Sequence, residues 1–483
     1  MIASDRGYMT FNNAMIPEGA KYLIYILTKY GRFQAYLVGG CVRDMCMNRI
    51  PHDWDITTNA TPDEMISIIK TICKRDERSI QIVPTGLKHG TVTFVLDGEG
   101  YEITTFRNDG EYSDNRRPDK VTFTNNLLED LSRRDFTINT ITYNQYIGFQ
   151  DFYDGIKDIR NKMICCVGNP QERFKEDGLR ILRAMRFAAQ LKFTIEENTS
   201  QAIHNEKELL SNISQERISQ ELSKILMSEN CGNEVLREYA DVICQIIPEI
   251  KPMIGFKQNN PYHLYDVWEH TLHCMDNVSS DTDLIIRLAI FLHDIGKPNN
   301  YVEDENGIGH FYGHAHSSYA IAQEVLKRLR YSNDIVESVS QLIDCHDVTL
   351  TPTKAAVKRL LNKLGEKQLR RLLILRTYDI KGQSSKDIEL RLEKVYKVSE
   401  LLDWIVEQSE CFQLKDLAIN GRDLIKIGVP EGKLIGKILN LCLAYVIDGT
   451  VDNTREELFK VANMLFTANP TLYTGGQTND YSR

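Results

Sequence analysis

The chain has 483 residues, a formal net charge of −9 and 42% hydrophobic residues, too long for one core and consistent with about three or four domains. The acidic balance excludes a bulk nucleic-acid binder with a basic footprint, so any such contact must come from local patches. Eleven cysteines with no CxxC pair, and Cys165-Cys166 adjacent, exclude a disulfide framework and read as reduced thiols.

Residues 1–16 read as a loose start without the basic-then-apolar order of a secretory signal, so the expected location is cytoplasmic. From Pro17 to Tyr30, the apolar Tyr22, Leu23, Tyr25, Ile26 and Leu27 predict a helix. The run Ala35 to Val38 predicts a strand ending in Gly39-Gly40, and Val42-Arg43-Asp44 opens the next segment. HDWDIT, from His52 to Thr57, predicts a second strand. Residues two apart on a strand face the same way, so Asp53 and Asp55 are expected to project together. Paired carboxylates of this kind suit magnesium, which prefers oxygen ligands shared with substrate phosphates. The glycines let a phosphate approach the backbone, the helix start offers N–H groups, and Arg43 can neutralise a polyphosphate. A Gly-Gly alone reads as a turn and an Asp-x-Asp alone as a solvated edge. In this order they read as a nucleotidyl-transfer centre.

These residues also resemble a known family. The stretch VGGCVRD (Val38 to Asp44) followed by DWDIT (Asp53 to Thr57) is similar to the signature of the class II, bacterial-type tRNA nucleotidyltransferases (CCA-adding enzymes) and the related poly(A) polymerases. The resemblance implies that Gly39, Gly40 and Arg43 contact the nucleotide and that Asp53 and Asp55 hold magnesium.

Further along, Thr61-Pro62 predicts a helix start with Thr61 as N-cap. The alternating stretches Gly90 to Leu96 and Tyr101 to Phe106, around Asp97-Gly98, predict a hairpin. Glu102 on the second strand reads either as a solubilising edge charge or, by the resemblance, as the third carboxylate of the acidic site. Residues Arg107 to Phe123 read as a mobile loop that in the family serves the switch from C to A addition, and Arg107 is assigned to nucleotide binding. LSRRDFTINT (Leu131 to Thr140) is similar to the family's RRDFTINA motif, with Thr140 replacing Ala. It is expected to supply Arg134, Asp135 and Asn139 to the triphosphate and ribose. Asp151 to Gly155 matches the family's DxxxG block.

Glu172 to Leu191 predicts one helix on which Asp177 and Arg180, three apart, are neighbours. They read as a surface ion pair or as a base reader. Cytosine and adenine both place a ring-nitrogen acceptor beside an amino donor, which suits Arg180 and Asp177. Uracil and guanine invert that pattern and leave polar groups facing like partners. The resemblance assigns Glu176, Asp177, Arg180 and Arg183 to the family's EDxxRxxR block, with Arg186 also at the nucleotide. Ile213 to Asn230 predicts an amphipathic neck helix.

The apolar run LIIRLAIFLHDIG is interrupted by Arg287 and His293 and excludes a membrane span. An adjacent His293-Asp294 on an apolar helix calls for a strong partner, and a divalent metal supplies one. His270, His293, Asp294 and Asp379 are similar to the four ligands of the HD phosphohydrolase superfamily, with TYD in place of the usual RAD. By that resemblance, His314 and His346 hold a second metal. Between Lys354 and Arg376, eight basic residues and the single acid Glu366 give a local excess of +7, read as a solvated helix face or a phosphate-tracking surface. Gly428, Gly432 and Gly436 are expected near helix starts that face RNA.

The fold class expected is α+β. A small mixed-sheet nucleotidyltransferase head (1–155) is followed by an all-helical neck (156–255), an HD domain (256–385) and a tail (386–470), with 471–483 disordered. The implied reaction adds CCA to the tRNA 3′ end from CTP and ATP without a nucleic-acid template, using magnesium in the head and an unidentified divalent metal in the HD domain. No membrane or protein partner is implied. The alternatives are a poly(A) polymerase or A-adding enzyme, or a protein acting mainly as an HD phosphohydrolase.

Overall fold

The computed structural model describes residues 13–110, 120–229, 235–260, 264–383 and 387–468. Most of the expected loose start, the middle of the expected mobile loop and the 471–483 tail lie outside the described residues. The chain divides into two compact units. One comprises Met1–Pro252, Ser279–Leu284 and Val325–Ser332; the other comprises Met253–Val278, Ile285–Glu324 and Asn333–Arg483.

The first unit carries β1 (Ala35–Val38), β2 (Asp55–Thr58), β3 (Ile80–Gly86), β4 (Thr91–Leu96), β5 (Glu99–Thr105), β6 (Arg107–Asp109), β7 (Val121–Phe123), β8 (Thr142–Asn144) and β9 (Gly148–Gln150). Among the described residues, seven of these strands form one mixed sheet in the order β3-β4-β5-β2-β1-β8-β9. β1 runs antiparallel to β2 and β8, whereas β2 and β5 are parallel and set Asp55 opposite Glu102. Tyr101, Ile103 and Thr105 are buried while Glu102 is exposed, the alternation expected of a strand with one face on the core. Tyr36, Val38, Phe106, Leu127 and Leu131 form a buried cluster around this sheet.

Two strand expectations change. β2 begins at Asp55, so Asp53 sits on the preceding bend and the pleat does not align the two carboxylates. The ends of the expected loop are ordered: β6 and β7 pair antiparallel, Arg107 opposite Phe123, because the flanking residues find a backbone ladder that local composition does not reveal.

The helices of the first unit are α1 (Glu18–Tyr25), α2 (Gly40–Cys46), α3 (Pro62–Arg75), α4 (Leu127–Ser132), α5 (Gly155–Asn161), α6 (Pro170–Glu176), α7 (Leu179–Leu191), α8 (Glu197–Glu206), α9 (Gln215–Leu226) and α10 (Ala240–Ile246). At the start of α3 the Thr61 N–H and hydroxyl both donate to Glu64 Oε2, at 2.8 and 2.7 Å. This reciprocal cap is worth about 1 kcal/mol and aims Met65, Ile69, Ile72 and Cys73 into the core. The single helix expected over 172–191 is two helices. The chain breaks at Asp177-Gly178, where the Asp177 carboxylate accepts the Leu179 N–H at 3.1 Å and starts α7 afresh. Gly178 packs tightly there: a Cβ would lie 3.1 Å from Leu209, which would have to shift to admit it.

The helices that follow are α11 (Val267–Asp276), α12 (Leu284–Leu292), α13 (His314–Arg328), α14 (Asn333–Cys345), α15 (Lys354–Gly382), α16 (Ile388–Glu407), α17 (Gly421–Lys426), α18 (Lys433–Ile447) and α19 (Arg455–Ala468). α15 is kinked at Gly365, whose φ of 74° is open to glycine. Four of the eight basic residues between Lys354 and Arg376 on α15 contact side chains elsewhere in the chain. Lys358 reaches Glu410 at 2.5 Å, Arg359 reaches Asp448 and Arg370 reaches Asp403, both at 2.6 Å, and Lys354 lies over the Trp404 ring. Part of the local excess of charge is therefore met within the chain. Of the tail glycines only Gly432 caps a helix start, that of α18. Gly428 follows the end of α17 and Gly436 lies inside α18. No helix among the described residues is long and apolar enough to cross a membrane.

Candidate active site and a second polar centre

The Gly39-Gly40 turn joins β1 to α2 with Gly39 at φ 78°, a conformation that favours glycine. A Cβ on Gly39 would lie 3.5 Å from Arg134 Nη1 and 3.6 Å from Asp55 Oδ2, so the turn sits between a guanidinium and a carboxylate. Burial, together with the charges of Glu102 and Asp53 and against the pull of Arg134, pushes the Asp55 carboxyl up to about 6. Asp53, Asp55, Glu102 and Arg134 thus share one electrostatic neighbourhood. The Arg134 Nε is buried and has no hydrogen-bond partner, although its Nη2 lies 3.6 Å from Asp130. A donor left unmet beside an open glycine turn suits an anion. The donor set of the three carboxylates is all oxygen, the chemistry that magnesium prefers.

A chain of polar contacts braces this turn from behind. Arg43 donates to Asp44 at 2.9 Å and to Asn139 Oδ1 at 3.0 Å; Asn139 Nδ2 donates to Asp135 Oδ1 at 3.0 Å; Arg183 Nε donates to Asp135 Oδ2 at 2.9 Å. Arg43, Arg183 and Arg186 all approach the Phe187 ring, at 5.1, 5.5 and 4.0 Å from its centroid. Asp135 and Asn139 are both buried, Asp135 on the bend before a short helical turn (Thr137–Asn139) that ends in Asn139, and both act as struts here. The Asp151 carboxylate accepts the N–H groups of Gly155 and Ile156 at 2.8 Å each and so caps α5. A Cβ on Gly155 would meet the Thr137 carbonyl at 2.3 Å, so the DxxxG block holds that turn against α5.

Burial alone would raise the Asp135 carboxyl, but Arg183 and the Asn139 hydrogen bond hold it well below the usual carboxylate range. A depressed folded value means stabilisation that is present above the unfolded pKa of about 4 and lost as pH falls below it. Asp135→Asn is therefore expected to lower stability at pH 7 by about 3 kcal/mol, since it strips Arg183 of its partner. It should also flatten the loss of stability on acidification. Urea unfolding across pH measures both, and an acid limb as steep as that of the parent protein would rule the strut out.

Other assigned residues have different partners from those expected. Asp177 pairs with Arg217 at 2.9 Å, while Arg180 donates to Glu176 at 2.6 Å and to the Arg133 carbonyl at 2.8 Å. Asp177 and Arg180 are not a side-chain pair, because the helix break turns them apart. Arg186 is buried against Glu221 at 2.6 Å. Arg107 donates to the His89 carbonyl at 2.6 Å and lies 3.1 Å from Asp109. Arg217 and Phe187 were missed. Phe187 was legible in outline as an aromatic four residues past Arg183, whereas nothing local marks Arg217.

In the second unit the expected histidines and aspartates converge. His270 Nε2 lies 3.4 Å from His293 Nε2 and 3.2 Å from Asp379 Oδ1. Asp294 Oδ2 is 3.2 Å from His293, and Asp294 Oδ1 is 3.6 Å from both His314 and His346. Among the described residues, the groups whose ligand atoms all lie within 4.8 Å of one another are His270, Cys274, His293 and Asp379, and Asp294, His314 and His346. Asp53, Asp55 and Glu102 are not among them. Both Asp294 oxygens are buried without a hydrogen-bond partner, although Lys297 Nζ lies 2.7 Å from one. A buried carboxylate left so is a fit for cations between the imidazoles. The cluster opens on a cavity of about 630 Å³ lined in part by Lys297, Tyr312, Arg376, Arg391 and Lys394. Cys274 and Lys297 were missed; each lies one helical turn from a recognised ligand.

Residues 35–165 match a family model described as "Poly A polymerase head domain", and residues 192–253 match "Probable RNA and SrmB- binding site of polymerase A". Residues 305–462 match a tRNA nucleotidyltransferase domain 2 model. The chain is similar to the CCA-adding enzyme of Lactobacillus helveticus (strain DPC 4571), 33% identical over 431 residues, 89% of this chain and 92% of that one. The chain belongs to the CCA-adding enzyme family. Another family member, from Enterococcus faecalis (strain ATCC 700802 / V583), is 32% identical over 435 residues, covering 89% of this chain and 92% of its own. Among solved structures, the Bacillus stearothermophilus CCA-adding enzyme in complex with CTP has a TM-score of 0.65 at 24% identity, over 94% of this chain and 98% of that chain. A likeness at that identity supports the CCA-adding enzyme fold: a mixed-sheet head followed by a mostly helical remainder.

Proposed function

We propose that this chain adds CCA to the 3′ end of tRNA from CTP and ATP, without a nucleic-acid template, in the cytoplasm. The observation that carries the reading is Asp55 set beside Arg134 at the Gly39-Gly40 turn, with Glu102 opposite Asp55 on the neighbouring strand. The tRNA-directed activity rests on the family, whose named members are CCA-adding enzymes. Asp53 and Asp55, assisted by Glu102, are the residues to hold magnesium. The metal would activate the tRNA 3′-hydroxyl and offset charge on the triphosphate. Arg134, with its unmet Nε, receives a phosphate oxygen. Gly39 and Gly40 admit the triphosphate to the backbone, while Arg43, Asp135, Asn139 and Arg183 keep the turn rigid behind it. Domain limits of 1–155, 156–255, 256–385 and 386–470 for head, neck, HD domain and tail belong to the same proposal.

Base choice is assigned to Asp177 and Arg180, each of which must exchange or share its present partner when a base arrives. Arg180→Ala is expected to erode discrimination against UTP by roughly 10- to 100-fold, the worth of one mispaired buried polar contact. The test uses purified protein, a tRNA ending before CCA and each of the four labelled triphosphates in turn. Addition of only C, C and A supports the reading, and a long A tract supports a poly(A) polymerase instead. Unchanged exclusion of UTP in Arg180→Ala removes the template role from that residue.

A second reading is favoured by the cluster in the second unit. His270, His293, Asp294 and Asp379, with His314 and His346, form an HD-type centre holding divalent metal and hydrolysing phosphoesters at RNA ends. The buried Asp294 carboxylate among four imidazoles supports it, as do the arginines and lysines around the adjoining cavity.

A further inference from the structure

We infer that Cys274 is a metal ligand of the second centre, and that the position it shares with His270, His293 and Asp379 takes a thiophilic divalent cation of the zinc class rather than magnesium. The inference rests on the metal-centre reading above and adds a donor that the recognised ligand set lacks. His270 and Cys274 are four apart on α11 and so share one face. Cys274 Sγ lies 3.6 Å from His270 Nε2, and the two imidazole Nε2 atoms lie 3.4 Å apart. A tetrahedral zinc with bonds of about 2.1 Å to nitrogen and 2.3 Å to sulfur sets those separations at about 3.6 and 3.4 Å. All four ligand atoms lie within 4.8 Å of one another, and all four residues are buried.

Two further observations separate this thiol from an apolar filler. Asp294 presents its buried Oδ2, which also pairs with Lys297 at 2.7 Å, 3.5 Å from His270 Nε2 and 3.2 Å from His293 Nε2, a charge that faces the same space. On the other side, Gly382 packs directly on the thiol: a Cβ there would lie 2.3 Å from Sγ, so a larger residue would displace the sulfur. The neighbouring group of Asp294, His314 and His346 offers only nitrogen and oxygen. Thiolate favours zinc and its relatives, whereas magnesium prefers an all-oxygen shell, so the two positions differ in the ion they select.

The test is cobalt(II) titration of the full chain after removal of metal by a chelator, read by absorbance. Wild type is expected to develop an intense near-ultraviolet sulfur-to-cobalt band. Cys274→Ser loses that band but keeps the weaker visible cobalt bands, and its zinc affinity falls about tenfold or more. Cys165→Ser, in the first unit, retains the band. If Cys274→Ser keeps the band, or wild type binds cobalt without one, Cys274 is not a ligand and the metal centre itself survives. If wild type takes up no cobalt, the metal-centre reading fails with it. Should Cys274→Ser and Cys274→Ala both fail to fold, zinc-edge X-ray absorption of wild type decides, with a sulfur shell at about 2.3 Å expected and its absence overturning the assignment.

Discussion

Asp53→Ala abolishes incorporation of both cytidine and adenosine into a tRNA that ends before CCA, by on the order of 10⁴-fold in rate. Several kcal/mol of charge stabilisation are at stake, because a carboxylate that anchors a cation beside the triphosphate acts most strongly where charge develops. The same change should relieve Asp55, whose carboxyl is pushed up to about 6 by burial with Glu102 and Asp53 nearby. The fold should persist, since Asp53 lies on an exposed bend before β2 rather than inside the core. Single-turnover addition of CTP and then ATP, with the unfolding midpoint measured alongside, checks both halves. A variant that still adds either nucleotide at near the parent rate refutes the metal role of Asp53.

Asp294→Asn empties the second centre. Asp294 lies between the two sets of imidazoles, within 3.6 Å of His293, His314 and His346, and its charge joins them. An amide keeps the shape and removes the charge, so divalent metal content should fall, and metal-dependent phosphate release by on the order of 100-fold or more. CCA addition should stay within about twofold, because the chemistry assigned to that reaction lies wholly in the first unit. Metal analysis, phosphate release from RNA ends and CCA addition on the same preparation separate these outcomes. Full metal content in Asp294→Asn would show that the cluster is a polar core rather than a metal centre. A parallel loss of CCA addition would show that the two activities are not separable.

Much of the head was readable in the chain. The turn at Gly39-Gly40 stands out because few residues besides glycine adopt φ 78°, and the Glu102 strand stands out because its alternation has period two. The cap at Thr61 was equally plain, since Thr, Pro and Glu within four positions satisfy the same few backbone groups wherever they occur. The buried histidines and aspartates of the second unit were recognisable as residue types that burial tolerates only with strong partners.

Partner choice was not readable. Asp177 and Arg180 look like neighbours at helical spacing, yet a break at Gly178 gives Asp177 to Arg217, forty residues on, and Arg180 to Glu176. The basic run of α15 gives no sign of the partners Glu410, Asp403 and Asp448, which reach it from farther along the chain. Cys274 is one of eleven cysteines in the chain and says nothing of its place beside His270, His293 and Asp379.

By itself, then, the order of residues determined the head-and-helices architecture and the glycine turn, and it singled out the acidic and imidazole residues proposed as two centres, because turn chemistry and hydrophobic period act over a few positions. Only the tertiary structure decided which charges meet, which of them are struts, and which thiol stands among the buried imidazoles and carboxylates. Coulombic and ligand contacts depend on distances of a few ångströms in space, and such distances bear no fixed relation to separation along the chain.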